Sequence, residues 1–505
     1  MADAHTLRQY QLDVIAKTHA EISSGHKRVL LVAPTGAGKT VIAGQLIRDY
    51  VDTGKRVLFL AHRRELITQA SHKLYDVGID HGIIQAGFPT RPSEKVQIAS
   101  IQTLHARAIR TTVMDLPASD LIVIDECHHA RSMTYTSIVE QFPNADVIGL
   151  TATPCRGDGR GLGNSFDVIV ECPPIADMVT AGFLVPTKVY APSKPDLAGV
   201  KVARGDYAEN QLAERMNTAV LVGDIVTHWH RLGEGRKTVV FATGVEHSVH
   251  LRDEFRKSGV LAEHIDGTTP AEERDKILKQ LADGRVDLIS NAMVLTEGWD
   301  CPDVSCLVLA RPTKSVGLYR QMVGRVLRPA PSKTDALIID HAGAVFEHGF
   351  IDEPIEWTLS HDKKAVSKTQ SARVEGQLPK LTECPECKAV RWAGKPCGSC
   401  GWRPVSRGTS QDIVDADLEE IDRQTKTAVA SQAMDRERFH AQLMWIVNER
   451  NYKPGWAAMK FKEKFGAWPK WGAMPTPIPP DPEVRSWVRS RQIAWARAQD
   501  KSRAG

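Results

Sequence analysis

The sequence predicts an α/β protein with two successive doubly wound parallel sheets, a small four-cysteine module and a helical C-terminal tail. Three observations carry this expectation. Short β-branched runs alternate with helical patterns from about residue 28 to 170, and the rhythm restarts near residue 180 and continues to about 345. At 505 residues the chain exceeds the ~250 to 300 residues at which a single hydrophobic core stops growing. Beyond Asp340 the alternation ends, and two Cys-x-x-Cys pairs follow within residues 384–400.

In the first array RVLLVAP, RVLFLAH, VQIASI, LIVIDE and VIGLTATP each read as a buried parallel strand. TVVFATG, DLISNAM, SCLVLAR and ALIIDH do the same in the second. Two such arrays imply two domains, residues 1–180 and 181–345, with a cleft between them. PCRGDGRGLGNSF, beginning at Pro154, reads as a flexible loop leaving the first domain. A connector over 346–378 leads to the cysteine module at 379–405. In the tail, 406–505, the stretch from Asp412 to Arg450 has helical apolar spacing, and WPKWGAMPTPIPPDPE breaks any long helix.

Composition narrows the setting. With 42% hydrophobic and 25% charged residues the chain lies in the soluble globular range, and no apolar stretch reaches the ~18 to 20 residues that span a bilayer. MADAHTLRQYQ has no apolar run to act as a signal peptide, so a cytoplasmic protein without a membrane partner is expected. The net charge of +4 is small, but from Arg436 onward 14 Lys and Arg face 6 Asp and Glu. That tail suits a polyanion, or is a solvated basic surface. Cys127, Cys155, Cys172, Cys301 and Cys306 are scattered singly, as small buried residues are in a reducing compartment.

The strand RVLLVAP runs into TGAGKT and then a helical pattern, the context a phosphate-binding loop requires. From Thr35 onward, small residues at Gly36, Ala37 and Gly38 let backbone N–H groups turn toward an anion at the helix N-terminus. Lys39 then neutralises the β- and γ-phosphates of ATP, and the Thr40 hydroxyl ligates Mg²⁺. The usual first glycine is Ala33 here. LIVIDE delivers Asp125 and Glu126 to a strand end, the first for Mg²⁺ and the second to orient or deprotonate water. In YRQMVGRVLR, Gln321, Arg325 and Arg328 fall at spacings of four and three, hence on one face of an expected helix. Arginines offered from a second domain stabilise transition-state charge only when the domains meet; a salt-bridged surface helix has the same spacing.

In this order the motifs resemble those of superfamily 2 helicases, across about residues 5 to 345: LRQYQ, APTGAGKT, AHRREL, SIQTL, DECHH, LTATP, FATGVEHS, NAMVLTEGWDCP and QMVGRVLRP. The resemblance implies two tandem RecA-like P-loop domains, with Gln11 reading the adenine and Gly298 and Asp300 touching the nucleotide. It further implies that Thr151 and Thr153 link ATP state to strand grip, and it assigns Arg63, Thr103, Thr243 and Thr296 to the nucleic-acid backbone. DECHHA, the segment IIDHAGAVFEHGFIDEP and the cysteine cluster resemble the RadD-type bacterial DNA-repair helicases and their phage counterparts.

Cys384, Cys387, Cys397 and Cys400 form two knuckles nine residues apart, each aiming two thiolates at one point. Together they complete a structural Zn²⁺ shell; two redox pairs would need thioredoxin-like surroundings that are absent from the sequence. Eight of the eleven tryptophans lie at or after Trp392, among Lys and Arg. They suit stacking on single strands or docking of a repair or replication protein, while Trp456, Phe461 and Phe465 fit a core better. The expected enzyme is an ATP-dependent helicase or translocase on single-stranded or forked DNA, in repair, recombination or replication. An RNA helicase and an ATP-switched recruitment protein are the alternatives.

Overall fold

The computed structural model describes residues 7–129, 133–155, 160–191, 195–203, 205–233, 235–360, 366–367, 380–404, 436–453, 455–465 and short stretches between 468 and 491. The chain divides into two compact units, Met1–Ser406 and Arg407–Gly505.

The first lobe of the larger unit holds β1 (Arg28–Val32), β2 (Val57–Ala61), β3 (His81–Ile84), β4 (Val96–Ser100), β5 (Leu121–Asp125), β6 (Asp146–Thr151) and β7 (Val168–Glu171). They pair in parallel in the order β3-β4-β2-β5-β6-β1-β7. Interior strands are apolar on both faces because helices cover both; Leu30, Leu58 and Ile122 are completely buried. Each such side chain contributes about 1.5–3 kcal/mol relative to exposure. β5 and β1 are separated by β6 alone, so the segments leaving their C-terminal ends open on the same rim of the sheet.

The second lobe begins with β8 (Thr187–Tyr190) and a two-stranded ribbon, β9 (Val202–Ala203) and β10 (Asp206–Tyr207). It continues through β11 (Thr238–Phe241), β12 (Ala262–Ile265), β13 (Leu288–Asn291), β14 (Cys306–Leu309) and β15 (Ala336–Asp340). The sheet is again all parallel, β12-β13-β11-β14-β15-β8.

One expectation needs correction. The Gly-rich segment after Pro154 is packed rather than loose where it is described: Leu162 and Phe166 are buried in the first lobe. Gly161 and Gly163 lie so close under the 358–359 backbone that an added Cβ would fall 2.2 Å from Thr358 O and 2.4 Å from Leu359 O. The described part of the connector also packs on the first lobe. After β16 (Ile355–Glu356), which pairs with β17 (Val366–Ser367), Trp357 and Leu359 return to the first lobe's core, and Gly163 N–H donates to Leu359 O at 2.8 Å. The chain thereby straps the second lobe back onto the first.

The cysteine module contains β18 (Leu381–Glu383) and β19 (Val390–Trp392) and packs on the edge strand β8. Tyr190 joins its small core, and Trp392 meets Phe350 edge-on at 5.8 Å. In the smaller unit, helices Arg436–Arg450 and Gly455–Phe465 share a core of Phe439, Leu443, Ile446, Ala457 and Phe461, with Trp456 and Phe465 packed against it, as their residue types suggest. Trp445 and Trp468 are exposed. The helical pattern before Arg436 lies outside the described residues.

Candidate functional site

The loop leaving β1 reaches its helix, Lys39–Asp52, through two glycines in the left-handed region, Gly36 at φ 93° and Gly38 at φ 77°. Glycine is required there for its backbone, and also for contact. A Cβ on Gly36 would lie 2.9 Å from Leu184 Cδ2, and one on Gly38 would lie 2.7 Å from Gln11 Nε2. Ala33, in contrast, still belongs to the sheet: it is fully buried and its N–H donates to Thr151 O at 2.9 Å. A position so placed has no need of glycine, which explains the departure noted in the sequence.

β5 ends in Asp125, and Glu126 follows at φ 47°, a conformation costing a non-glycine residue about 1–3 kcal/mol and concentrated at functional sites. The turn aims Glu126 at the phosphate loop, where Lys39 Nζ donates to Glu126 Oε1 at 2.6 Å. Burial works to raise the Glu126 pKa, but the Lys39 ammonium and His128 outweigh it and hold the group well below the usual carboxylate range. Asp125 is pushed the other way by burial and by the Glu126 charge. Two adjacent carboxylates thus have opposed proton affinities.

His128 joins the lobes. Its Nδ1 is 3.2 Å from Thr151 Oγ1 and 3.4 Å from Glu126 Oε2, and its Nε2 is 3.4 Å from Gln321 Nε2 and 3.5 Å from Glu297 Oε1. Burial alone would depress its pKa, yet the two carboxylates lift it to about 9. His128 and Glu297 were legible only as letters inside DECHHA and TEGWD; what marks them is burial beside opposite charge.

A cavity of about 530 Å³ opens between the lobes. The first lobe lines it with Thr35, Gly36, Gly38, Lys39, Thr40, Asp125 and Glu126; the second contributes Gly298, Trp299, Asp300, Arg325 and Arg328. Volume and polarity fit a nucleotide. Ala37 and Gln11 stand behind it. Gln11 Nε2 donates to Ala37 O at 3.4 Å, and its Oε1 accepts from Arg8 N–H at 2.9 Å, so its amide braces the loop from outside the cavity wall. Thr153 packs against Gly317 of the second lobe.

The shared helical face expected for Gln321, Arg325 and Arg328 is corrected by the structure, because the helix Val316–Gly324 stops short of both arginines. Gly324 sits so tightly on Thr35 that a Cβ there would come 2.5 Å from Thr35 Cβ. Arg325 turns from the helix end to donate to Trp299 O at 2.8 Å and Thr296 O at 2.6 Å, and Arg328 pairs with Asp300. Both arginines reach the cavity from this turn, while Gln321 reaches only His128.

The four residues assigned to the nucleic-acid backbone are not brought together as one exposed set. Thr243 and Thr296 are buried; the first hydroxyl lies 2.9 Å from His247 Nδ1 and the second donates to Met293 O at 2.7 Å. Arg63 Nε faces Glu297 Oε2 at 3.7 Å, and Thr103 sits in a single-turn helix capped by Ser100.

In the cysteine module both knuckles repeat one pattern. Cys384 N–H donates to Ala389 O and Cys397 N–H to Trp402 O, while Lys388 and Gly401, each with positive φ, donate back to the carbonyls of Cys384 and Cys397. The four sulfurs lie within 4.8 Å of one another, with Cys384 and Cys400 at 3.7 Å and Cys387 and Cys397 at 3.6 Å. A tetrahedral ion with ~2.3 Å bonds to sulfur spaces its ligands by about 3.8 Å. The donor set therefore fits Zn²⁺.

Residues 4–156 match the family model of the type III restriction enzyme res subunit, and residues 221–330 match that of the helicase conserved C-terminal domain. A 51.5 kDa protein of a Lactococcus phage (isolate 7-9) is 30% identical over 374 residues, 74% of this chain and 77% of its own. The chain belongs to the superfamily 2 helicases. IRC3 of Saccharomyces cerevisiae, named as an ATP-dependent helicase, is 34% identical over 361 residues, 68% of this helicase and 52% of IRC3. The helicase thus spans about half the length of that relative. The DNA-bound type ISP restriction-modification enzyme LlaBIII shares the fold at a TM-score of 0.51 and 19% identity, over 66% of this helicase and 27% of that chain. Among the described residues no helix is long and apolar enough to cross a membrane.

Proposed function

We propose that the chain is a DNA-dependent ATPase that moves on or remodels DNA, hydrolysing ATP in the cavity between its lobes. The observation that carries this is the single cavity in which Lys39, Thr40, Asp125 and Glu126 of one lobe face Gly298, Asp300, Arg325 and Arg328 of the other. The loop amides and Lys39 bind the phosphates, and Thr40 with Asp125 would hold Mg²⁺, which supplies neutralisation of phosphate charge when bound. Lys39 exchanges its Glu126 partner for phosphate, and the freed carboxylate, kept ionised by protonated His128, orients the attacking water and takes its proton. Arg325 and Arg328 meet the developing charge only while the lobes are together, so turnover is coupled to lobe motion. Gln11 acts through the loop it braces.

Zn²⁺ would be held by Cys384, Cys387, Cys397 and Cys400, where it supplies structure, the shell having no open position. DNA as the track is supported by the DNA-bound relative of the same fold and by the basic tail. A role in repair, recombination or replication, of the RadD-type kind, is an extension of that reading, as is a partner protein at the C-terminal region.

The test of the track is ATP turnover by the full chain with single-stranded DNA, forked DNA and RNA across several salt concentrations. Backbone contact predicts stimulation that falls steeply with salt. DNA is expected to stimulate at least about tenfold more than RNA at equal nucleotide concentration. Equal or stronger stimulation by RNA would make the chain an RNA helicase; no stimulation by any would favour the ATP-switched recruitment protein.

A further inference from the structure

Glu297 belongs to the second lobe, yet its carboxylate is buried against the first. Its side chain is only 6% exposed. Oε2 lies 3.1 Å from His62 Nε2 and 3.7 Å from Arg63 Nε, and Oε1 lies 3.5 Å from His128 Nε2, all three in the first lobe. The backbone around it holds the arginine: Thr296 O and Trp299 O both accept from Arg325. Between them, Gly298 O accepts from Gln69 Nε2 of the first lobe at 2.7 Å. His128 in turn stands between Glu297 and Glu126. Glu297 does not line the nucleotide cavity, so it acts through these neighbours.

A desolvated carboxylate is costly wherever its partners are missing, so this contact exists only when the two lobes meet in register. Resting on the reading that ATP is hydrolysed in this cavity, we propose that Glu297 is a positioning residue. It ties the 296–300 segment to His62, Arg63 and His128, and so sets the Arg325 guanidinium and the Glu126 carboxylate in their working geometry together. Another ion pair between the lobes, the partly buried Arg274 with Glu65, does not join two groups of the cavity.

The experiment compares the full-length wild type with Glu297→Gln, Glu297→Asp and Lys39→Ala, measuring ATP turnover at saturating single-stranded DNA. Binding of a fluorescent non-hydrolysable ATP analogue is read in parallel. A misplacement near 1 Å costs about 100-fold in rate, and that is the loss in kcat expected for Glu297→Gln. KM and analogue affinity should stay within about threefold of wild type, a split that general loss of structure does not produce. Glu297→Asp keeps the charge and should recover at least about tenfold over Gln. Adding His62→Ala to Glu297→Gln should cost little more, because both remove one contact. Wild-type kcat in Glu297→Gln, or a loss confined to KM, overturns the proposal while an inactive Lys39→Ala leaves the cavity reading intact. Wild-type turnover in Lys39→Ala is the separate failure of that reading. If Glu297→Gln does not fold, His62→Gln carries the test: about tenfold lower kcat with unchanged analogue binding supports the proposal, and wild-type kcat overturns it.

Discussion

Lys39→Ala is expected to lower DNA-stimulated ATP turnover by about 10³-fold, the scale of losing one charged donor to a transition state in a dry site. Two effects combine. The phosphates lose their ammonium, and Glu126 loses the closer of the two cations beside it, leaving His128 to hold its charge. With its side chain 7% exposed, Glu126 then becomes a buried carboxylate without that counter-charge, which costs about 3–5 kcal/mol of stability. Glu126→Gln should lose turnover to a similar extent without that instability, because a neutral amide needs no counter-ion. Combining the two substitutions should therefore recover melting temperature relative to Lys39→Ala alone while recovering no turnover. Steady-state ATPase and thermal melts on the three variants check this; a Lys39→Ala chain as active and as stable as wild type would contradict both halves.

The second large effect is metal loss. Purified under non-chelating conditions, the chain should carry about one Zn²⁺, and Cys384→Ser/Cys397→Ser should carry none. Apparent binding free energies of about 10–16 kcal/mol for such sites are folding energy, since the four sulfurs, all within 4.8 Å of one another, are gathered only in the folded module. Stripping the metal should therefore unfold the module and free Trp392 and Tyr190 from their contacts at the lobe edge, seen as a change in tryptophan emission. Metal analysis of the wild type and emission with and without chelator decide it. A chain free of zinc with an unchanged spectrum would contradict the site.

Interior strands and the phosphate loop were legible because their residues answer to local rules. β2 is apolar throughout and β1 is apolar after Arg28, since both faces are covered, and Gly36 and Gly38 are fixed by a backbone that only glycine adopts cheaply. β3, β7 and β12 lie at sheet edges, each is only four residues long and only partly buried, and their patterns are too short to read. The four cysteines were legible by spacing alone. Contacts between lobes were not, because they depend on tertiary distance. The helix carrying Gln321 ends where Gly324 meets Thr35, so a periodicity argument ran past its true limit at Arg325. Thr243 and Thr296 share a residue type with nucleic-acid ligands, but only the fold reveals that their hydroxyls are buried. The strap through Trp357 and Leu359 escaped for the same reason, its partners lying almost 200 residues earlier in the chain.

Single-turnover ATP hydrolysis by Arg325→Lys, with single-stranded DNA saturating and analogue binding measured beside it, tests the central claim most directly. Lysine keeps the charge but not the planar fork that reaches Thr296 O, Trp299 O and the cavity at once. Analogue affinity should stay near wild type while the hydrolysis rate falls by about 100-fold or more. A wild-type rate would mean that the second lobe takes no part in the chemistry.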